Sequence, residues 1–325
     1  MPPESAALER LTAAKPAARK KGWRAAVAGV ADIIEKPVEL LIRTCGWSSI
    51  VLVAAIIFFV FREAAPILPK IDWFGSHGFF TSTEWHAKET TGATYGVLGM
   101  IVGNFAVALL AMVIAIPLGL AAAIYISEFA GPTVKEWLKI GIEILAAIPS
   151  IVWGFIAITI FGPLLIKYAG ATWGSNLLNG GIVLGLMSVP LIVSLAEDSL
   201  RAVPDGYREA AMALGANRWE IVYRVLFPAA RSGLLAACML GVGRAIGETM
   251  AVLLATGNKN HIPHALTDPI TTLTATIASE MGDAVTGSDH MRILFTIGLL
   301  LLAITCGINI TANYFIRGFK RKTNA

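Results

Sequence analysis

Arg244 and Glu248 stand inside an otherwise apolar stretch, G-V-G-R-A-I-G-E-T-M-A-V over 241–252. On a helix, a spacing of four places both side chains on one face. An arginine at the centre of a membrane helix costs roughly 2.5–3.5 kcal/mol to insert, and ionisable groups at that depth are usually paired or face a cavity, and often mark a substrate path. A guanidinium is a planar fork that matches the oxygens of a tetrahedral oxyanion two at a time. A carboxylate competing for that guanidinium weakens the site, which a conduit needs if the anion is to leave. Two readings stay open: a structural ion pair locking this helix to its neighbours, or an anion site. Gly241, Gly243 and Gly247 share the stretch. They serve close helix packing, with Gly243 and Gly247 in G-x-x-x-G spacing, or let helices move past each other.

A second apolar stretch carries I-P-S-I-V-W-G over 148–154. Pro149 frees a carbonyl one turn earlier, and Ser150 either satisfies that backbone at a packing kink or faces a pathway. Glu143, just before it, fits the membrane interface. The candidate pathway residues are therefore Arg244, Glu248, Thr249 and Ser150.

The longest segment between apolar runs on the expected cytoplasmic side is 197–231. Pro204, Asp205 and Gly206 are a turn signal. Asp205 is expected to cap a short helix over 207–214, with Gly215 at its C-terminal end. A second amphipathic helix is expected over 217–226, stopped by Pro228. Spacing alone leaves two readings, an amphipathic hairpin resting on the membrane or a docking surface for a partner.

These residues must be positioned by membrane helices. The chain has 325 residues, 56% hydrophobic and 15% charged, with a mean hydropathy of +0.68. Soluble domains carry about 25% charged residues. Crossing ~30 Å of hydrocarbon takes about 20 helical residues. The runs 45–61, 97–125, 140–161, 177–196, 231–255 and 292–316 meet that length, with Pro117 a kink point in the second. The expected fold is an all-α integral membrane protein with six transmembrane helices. It divides into a basic N-terminal segment (1–44), a first helix with its outer loop (45–94), and a core (95–325). The first part of 1–44 reads as disordered, and 24–42 as a helix on the membrane surface, broken by Pro37. With the N-terminus inside, nineteen of the 26 Lys and Arg fall on the inner side. Both termini are thus expected in the cytoplasm.

Charge clustered at the chain ends reads as membrane orientation and excludes a nucleic-acid face. Cys45, Cys238 and Cys306 form no CxxC pair, which argues against a disulfide framework or zinc site and for apolar packing. His77, His86, His261, His264 and His290 all fall in outer loops without ligand spacing, so they read as surface residues and no metal is expected. No nucleophile–base cluster points to a membrane enzyme.

The segment E-A-A-M-A-L-G, with Pro228 closing it, resembles the EAA loop of ABC-importer permeases; Val225 and Phe227 stand where that pattern has Ile and Leu. The resemblance implies a MetI-like permease fold and a coupling helix, with Glu209, Ala210, Ala211 and Gly215 contacting an ATPase subunit. G-R-A-I-G-E-T-M-A-V, I-P-S-I-V-W-G, T-L-T-A-T-I-A-S-E (272–280), F-F-T-S-T-E-W (79–85) and the Asp268–Pro269 pair are together similar to PstC-type permeases of phosphate ABC importers. The paired permease of that family usually reads G-E-T-A-P where this chain has Gly247 to Ala251. The resemblance runs from about residue 75 to the C-terminus. It implies a multi-pass protein of the bacterial inner membrane, a second permease subunit, two ATPase subunits and a periplasmic phosphate-binding protein meeting the loops 62–94 and 257–290. With no GxxxxGK[ST] motif, the chain is expected to be no enzyme and to carry no cofactor, ATP being bound by the partner ATPase. Permeases for sulfate or molybdate, and a channel or secondary transporter without an ATPase, are the alternatives.

Overall fold

The structure is a computed structural model. It describes the backbone of residues 15–86 and 93–323, and the side chains of residues 37–86 and 93–314. Most of the described residues are helical, with no strand and two isolated bridges among them, Trp85–Tyr95 and Gly257–Ile270. Among the described residues, six helices are long and apolar enough to cross a membrane. The chain divides into two compact units, 1–59 and 60–325.

Helix α1 (Lys15–Ala64) carries the first span, Pro37–Ala64. It passes through Pro37 without a break, so the expected separate surface helix over 24–42 is not formed. A single proline removes one donor from a ladder that is otherwise complete. The expected disorder at the start of the chain falls on residues 1–14, outside the described residues.

In the second unit, α2 (Leu98–Phe129) and α5 (Leu177–Arg201) make the most extensive helix pair. Glycine permits it. A Cβ on Gly181 would strike the Leu110 side chain, and one on Gly185 would meet the Ala111 carbonyl at 3.0 Å. Without a hydrophobic drive between helices in lipid, close backbone approach supplies the contact. Asn176 starts α5, its side chain accepting from the Asn179 N–H at 2.9 Å.

Two expected spans move along the sequence. The run 140–161 divides into α3 (Pro132–Ala147) and the spanning α4 (Ser150–Ala169). Ile148 turns extended (φ −66°, ψ 122°), as a residue before proline favours. Pro149 thus precedes a helix instead of kinking one. The run 231–255 becomes α7 (Arg218–Ile246), a break, and the short α8 (Met250–Ala255). Helix α7 continues through Pro228, so the expected stop there does not occur. The Phe227 N–H reaches the Val222 carbonyl five residues back. This wide turn moves carbonyls away from the proline ring, where a regular turn would clash. The same device precedes Pro163 in α4, where the Gly162 N–H reaches the Ala157 carbonyl.

Between these spans lie α6 (Asp205–Ala213) and, further on, α9 (Leu273–Glu280); α10 (Asp289–Thr323) carries the last span. The segment 257–290 is an ordered cover rather than a loose loop. The N–H groups of Leu177 and Leu178 donate to the carbonyls of Asp268 and Leu266, and that of Ile270 to Thr256. Backbone N–H groups of Ala265 and His264 hold the Asp268 carboxyl below the usual carboxylate range.

Candidate functional site: a helix break and a coupling corner

The break falls at Gly247, Glu248 and Thr249. Helix α7 ends at Ile246 and α8 begins at Met250. Glu248 caps the new helix just beyond the end of the span: its Oε1 accepts from the N–H groups of Thr249 (3.0 Å) and Ala251 (3.4 Å). Exposed helix-start donors favour an anionic acceptor. The expected face shared by Arg244 and Glu248 is therefore absent, because the helix ends between them. They form no ion pair. Arg244, in the last turn of α7, is exposed and makes no hydrogen bond or ion pair with the described residues.

Helix α4 brings Ser150 to the same level. A Cβ on Gly154 would strike Leu254 of α8, so the two helices touch closely four residues past each start. Further along, the Ala157 carbonyl, part-way up α4, accepts from Asn179, and the Ala255 carbonyl, at the end of α8, from the N–H of Asn176. Two contacts in the same order along both helices make them parallel. Their starts, at Ser150 and Met250, face the same way. Ser150 is half-buried and its hydroxyl has no partner among the described residues. Thr249 Oγ1 lies 3.4 Å from the Gly247 carbonyl.

The coupling corner is α6 and the turn after it. The helix starts at Asp205 with Pro204 before it and no side-chain cap. Asp205, expected as the cap, instead accepts from Arg208 at 3.0 Å. Gly215 has φ +84°, a left-handed conformation that disfavours any side chain. Asn217 and Glu220 then form a reciprocal capping box that starts α7. Glu209, Ala210 and Gly215 are exposed. Ala211 faces inward, packed with Val203 and Ile221, and is not part of the outer face. Tyr207, Met212 and Leu214 are exposed instead, Leu214 at 89%. Apolar side chains displayed on a short helix outside the spans mark a contact surface.

Sequence reasoning missed the groups that hold this corner. Arg208 lies 3.0 Å from Glu128 Oε1 and 3.3 Å from Oε2, at the end of α2. It also donates to the carbonyls of Leu200 and Val203 at 3.0 and 2.9 Å. Hydrogen bonding to Glu128 raises the Arg208 guanidinium above its ordinary pKa. Glu197, placed in a loop from the sequence, is buried in α5 and meets Lys139 (2.9 Å), Lys135 (3.5 Å) and Arg201 (3.5 Å). On the other side, Glu280 accepts from Trp85 Nε1 at 2.9 Å and lies 2.8 Å from His290 Nε2. The His290 side chain is 11% exposed, so it is not the surface residue expected. The three cysteines are free, and no cluster of three metal-ligating side chains occurs among the described residues.

Residues 115–324 match the family described as binding-protein-dependent transport system inner membrane component. The probable ABC transporter permease protein YqgH of Bacillus subtilis is 40% identical over 227 residues, 70% of this chain and 73% of that one. The phosphate transport system permease protein PstC of Pasteurella multocida is 32% identical over 81% of this chain and 89% of that one. Among solved structures, a bacterial ABC transporter that imports alginate covers 90% of this chain at a TM-score of 0.60 and 14% identity. The inward-facing MetNI methionine transporter covers 69% at a TM-score of 0.53 and 21% identity. These two likenesses show the fold, which is that of MetI-like ABC-importer permeases.

Proposed function

The chain belongs to the family of binding-protein-dependent transport system inner membrane components, and from that premise we propose that it is the PstC-type permease of an ATP-driven phosphate importer. It passes inorganic phosphate from a periplasmic binding protein to the cytoplasm. The observation that carries this reading is the pairing of two features at the ends of α7: the display helix α6 just before its start and, in its last turn, an arginine without a partner among the described residues. Phosphate comes from the relatives named for it and from the fit of Arg244 to a tetrahedral anion.

Arg244 is exposed on this chain and lies in a span, where a lone guanidinium facing lipid is costly. A second permease opposite it relieves that cost, and the conduit then runs between the two subunits. Glu248, Thr249 and Ser150 line the same level. Glu248 already spends one oxygen on backbone N–H groups, which limits its competition with phosphate for Arg244.

Two ATPase subunits lie on the cytoplasmic side, and this chain binds no ATP and needs no cofactor. Glu209, Ala210 and Gly215 face the ATPase, with Tyr207, Met212 and Leu214 supplying apolar contact. Ala211 supports the helix from behind. ATP-driven closure moves α6, and α7 carries that motion to Arg244. A helix of 29 residues is a lever of about 43 Å. The basic bias places α6 and both termini in the cytoplasm, and the segments 62–94 and 257–290 toward the binding protein.

Uptake of radiolabelled phosphate in a strain lacking the gene tests the reading. Uptake should be lost and restored by the intact chain, with sulfate and molybdate failing to compete. Competition by either anion, or uptake unchanged on deletion, overturns phosphate as substrate. Transport by the chain alone in ATP-free liposomes overturns the importer assignment.

A further inference from the structure

A helix break in the membrane leaves backbone groups without partners, and each must be satisfied from within the protein. The carbonyl of Glu248 is such a group, because α8 takes its first helical bond at Thr249, whose carbonyl accepts from the Leu253 N–H at 2.9 Å. The group that satisfies the Glu248 carbonyl is Thr274, whose hydroxyl donates to it at 2.7 Å. Thr274 lies in the first turn of α9, 26 residues away in sequence and 5% exposed.

The hydroxyls around it have one consistent donor order. Thr272 caps α9, its Oγ1 accepting from the Ala275 N–H at 3.2 Å. Thr272 and Thr274 hydroxyls lie 3.1 Å apart. The Thr274 hydrogen is committed to the Glu248 carbonyl, so Thr272 donates to Thr274. The chain therefore runs from Ala275 N–H to Thr272, to Thr274, to Glu248, and each acceptor is aligned by the next bond. Serine would keep this order; valine, of nearly the same shape, would leave the carbonyl bare.

Helix α9 is also held at its other end. Glu280, its last residue, takes the bonds from Trp85 and His290 described above. A two-turn helix fixed at both ends is a strut, and its inner end rests on the break.

We propose that Thr274 is a positioning residue for transport: its hydroxyl fixes the Glu248 backbone, and so sets where the Glu248 carboxylate and the start of α8 stand. This rests on the reading that places Glu248 beside the phosphate path. Thr274 touches no substrate in this scheme and acts through Glu248.

The test uses the assembled transporter carrying Thr274→Val or Thr274→Ser, with two readouts. Amide hydrogen exchange at Thr249 and Ala251 does not depend on what is transported. Thr274→Val should speed it about tenfold, and Thr274→Ser should leave it within about twofold of the parent. In phosphate uptake, Thr274→Val should lower the maximal rate about tenfold with little change in KM, and Thr274→Ser should keep at least half the rate. Unchanged exchange in Thr274→Val overturns the proposal whatever uptake does. Equal damage by Ser and Val overturns it as well, since the methyl and not the hydroxyl would then matter. A parent protein that exchanges as expected but imports no phosphate defeats the transport reading and leaves the exchange result to decide the positioning claim.

Discussion

The two ends of α7 are fastened by different chemistry. At the start, the coupling corner is riveted by full charges: Arg208 spans from α6 to Glu128 of α2 and to two carbonyls near the end of α5. At the other end, the break is held by neutral hydroxyls and by one carboxylate serving backbone N–H groups. The difference follows from surroundings. Near the interface, a pair of opposite charges keeps partial access to water and holds a defined geometry. Next to the apolar end of a span each added charge is costly, and there threonine does the fastening. One charge without a partner remains there, Arg244. The contrast separates groups that hold the frame from the group free to meet an anion.

The sharpest way to break that contrast is at Arg244. Arg244→Gln should reduce phosphate uptake more than tenfold while the chain still copurifies with its ATPase and second permease. Uptake near the parent level would make the arginine a frame residue like Arg208; loss of assembly would do the same. Arg208→Ala is expected to behave oppositely. It strands a largely buried Glu128 and should destabilise the complex by roughly 3 kcal/mol, read as a lowered thermal midpoint. A variant with the parent's midpoint would show that the rivet carries no load.

Gly215 probes the corner without touching charge pairs. Gly215→Ala should cost about 1 kcal/mol through its left-handed backbone. Gly215→Asp should also separate ATP hydrolysis from uptake, which parallel assays on one preparation would detect. The smallest effect belongs to Glu197→Gln. Its partners Lys135, Lys139 and Arg201 keep access to water, so a shift of about 1 kcal/mol is expected, with uptake reduced less than threefold.

Hydropathy alone predicts the number of spans, six, because the bilayer demands length and apolarity and little else. It misplaced two of them for a common reason. A sliding apolar run does not see where the backbone turns. Ile140 to Ile148 is apolar enough to pass as membrane, yet the break before Ser150 assigns it to a separate helix. Gly247, Glu248 and Thr249 carry no proline and no strong turn signal, so the i,i+4 face drawn through Arg244 and Glu248 looked sound until the helix ended between them. Gly215 was legible, since a helix end followed by glycine has one economical geometry. The partnerships of Arg208 with Glu128, and of Thr274 with Glu248, join residues far apart in sequence. Local periodicity holds no trace of such pairs.

The wide turn at Val222–Leu226 has a consequence for everything downstream on α7. Such a turn accommodates one surplus residue, and each residue advances a helix by about 100° and 1.5 Å. It therefore works as a phase shifter between the exposed corner at α6 and the rest of α7. Closing it to a regular turn with every residue kept would rotate Arg244 by more than a quarter of a circle, and deleting one residue at the same place would restore its azimuth. The azimuth of the arginine is thus encoded some twenty residues before it, in a stretch with no pathway chemistry of its own.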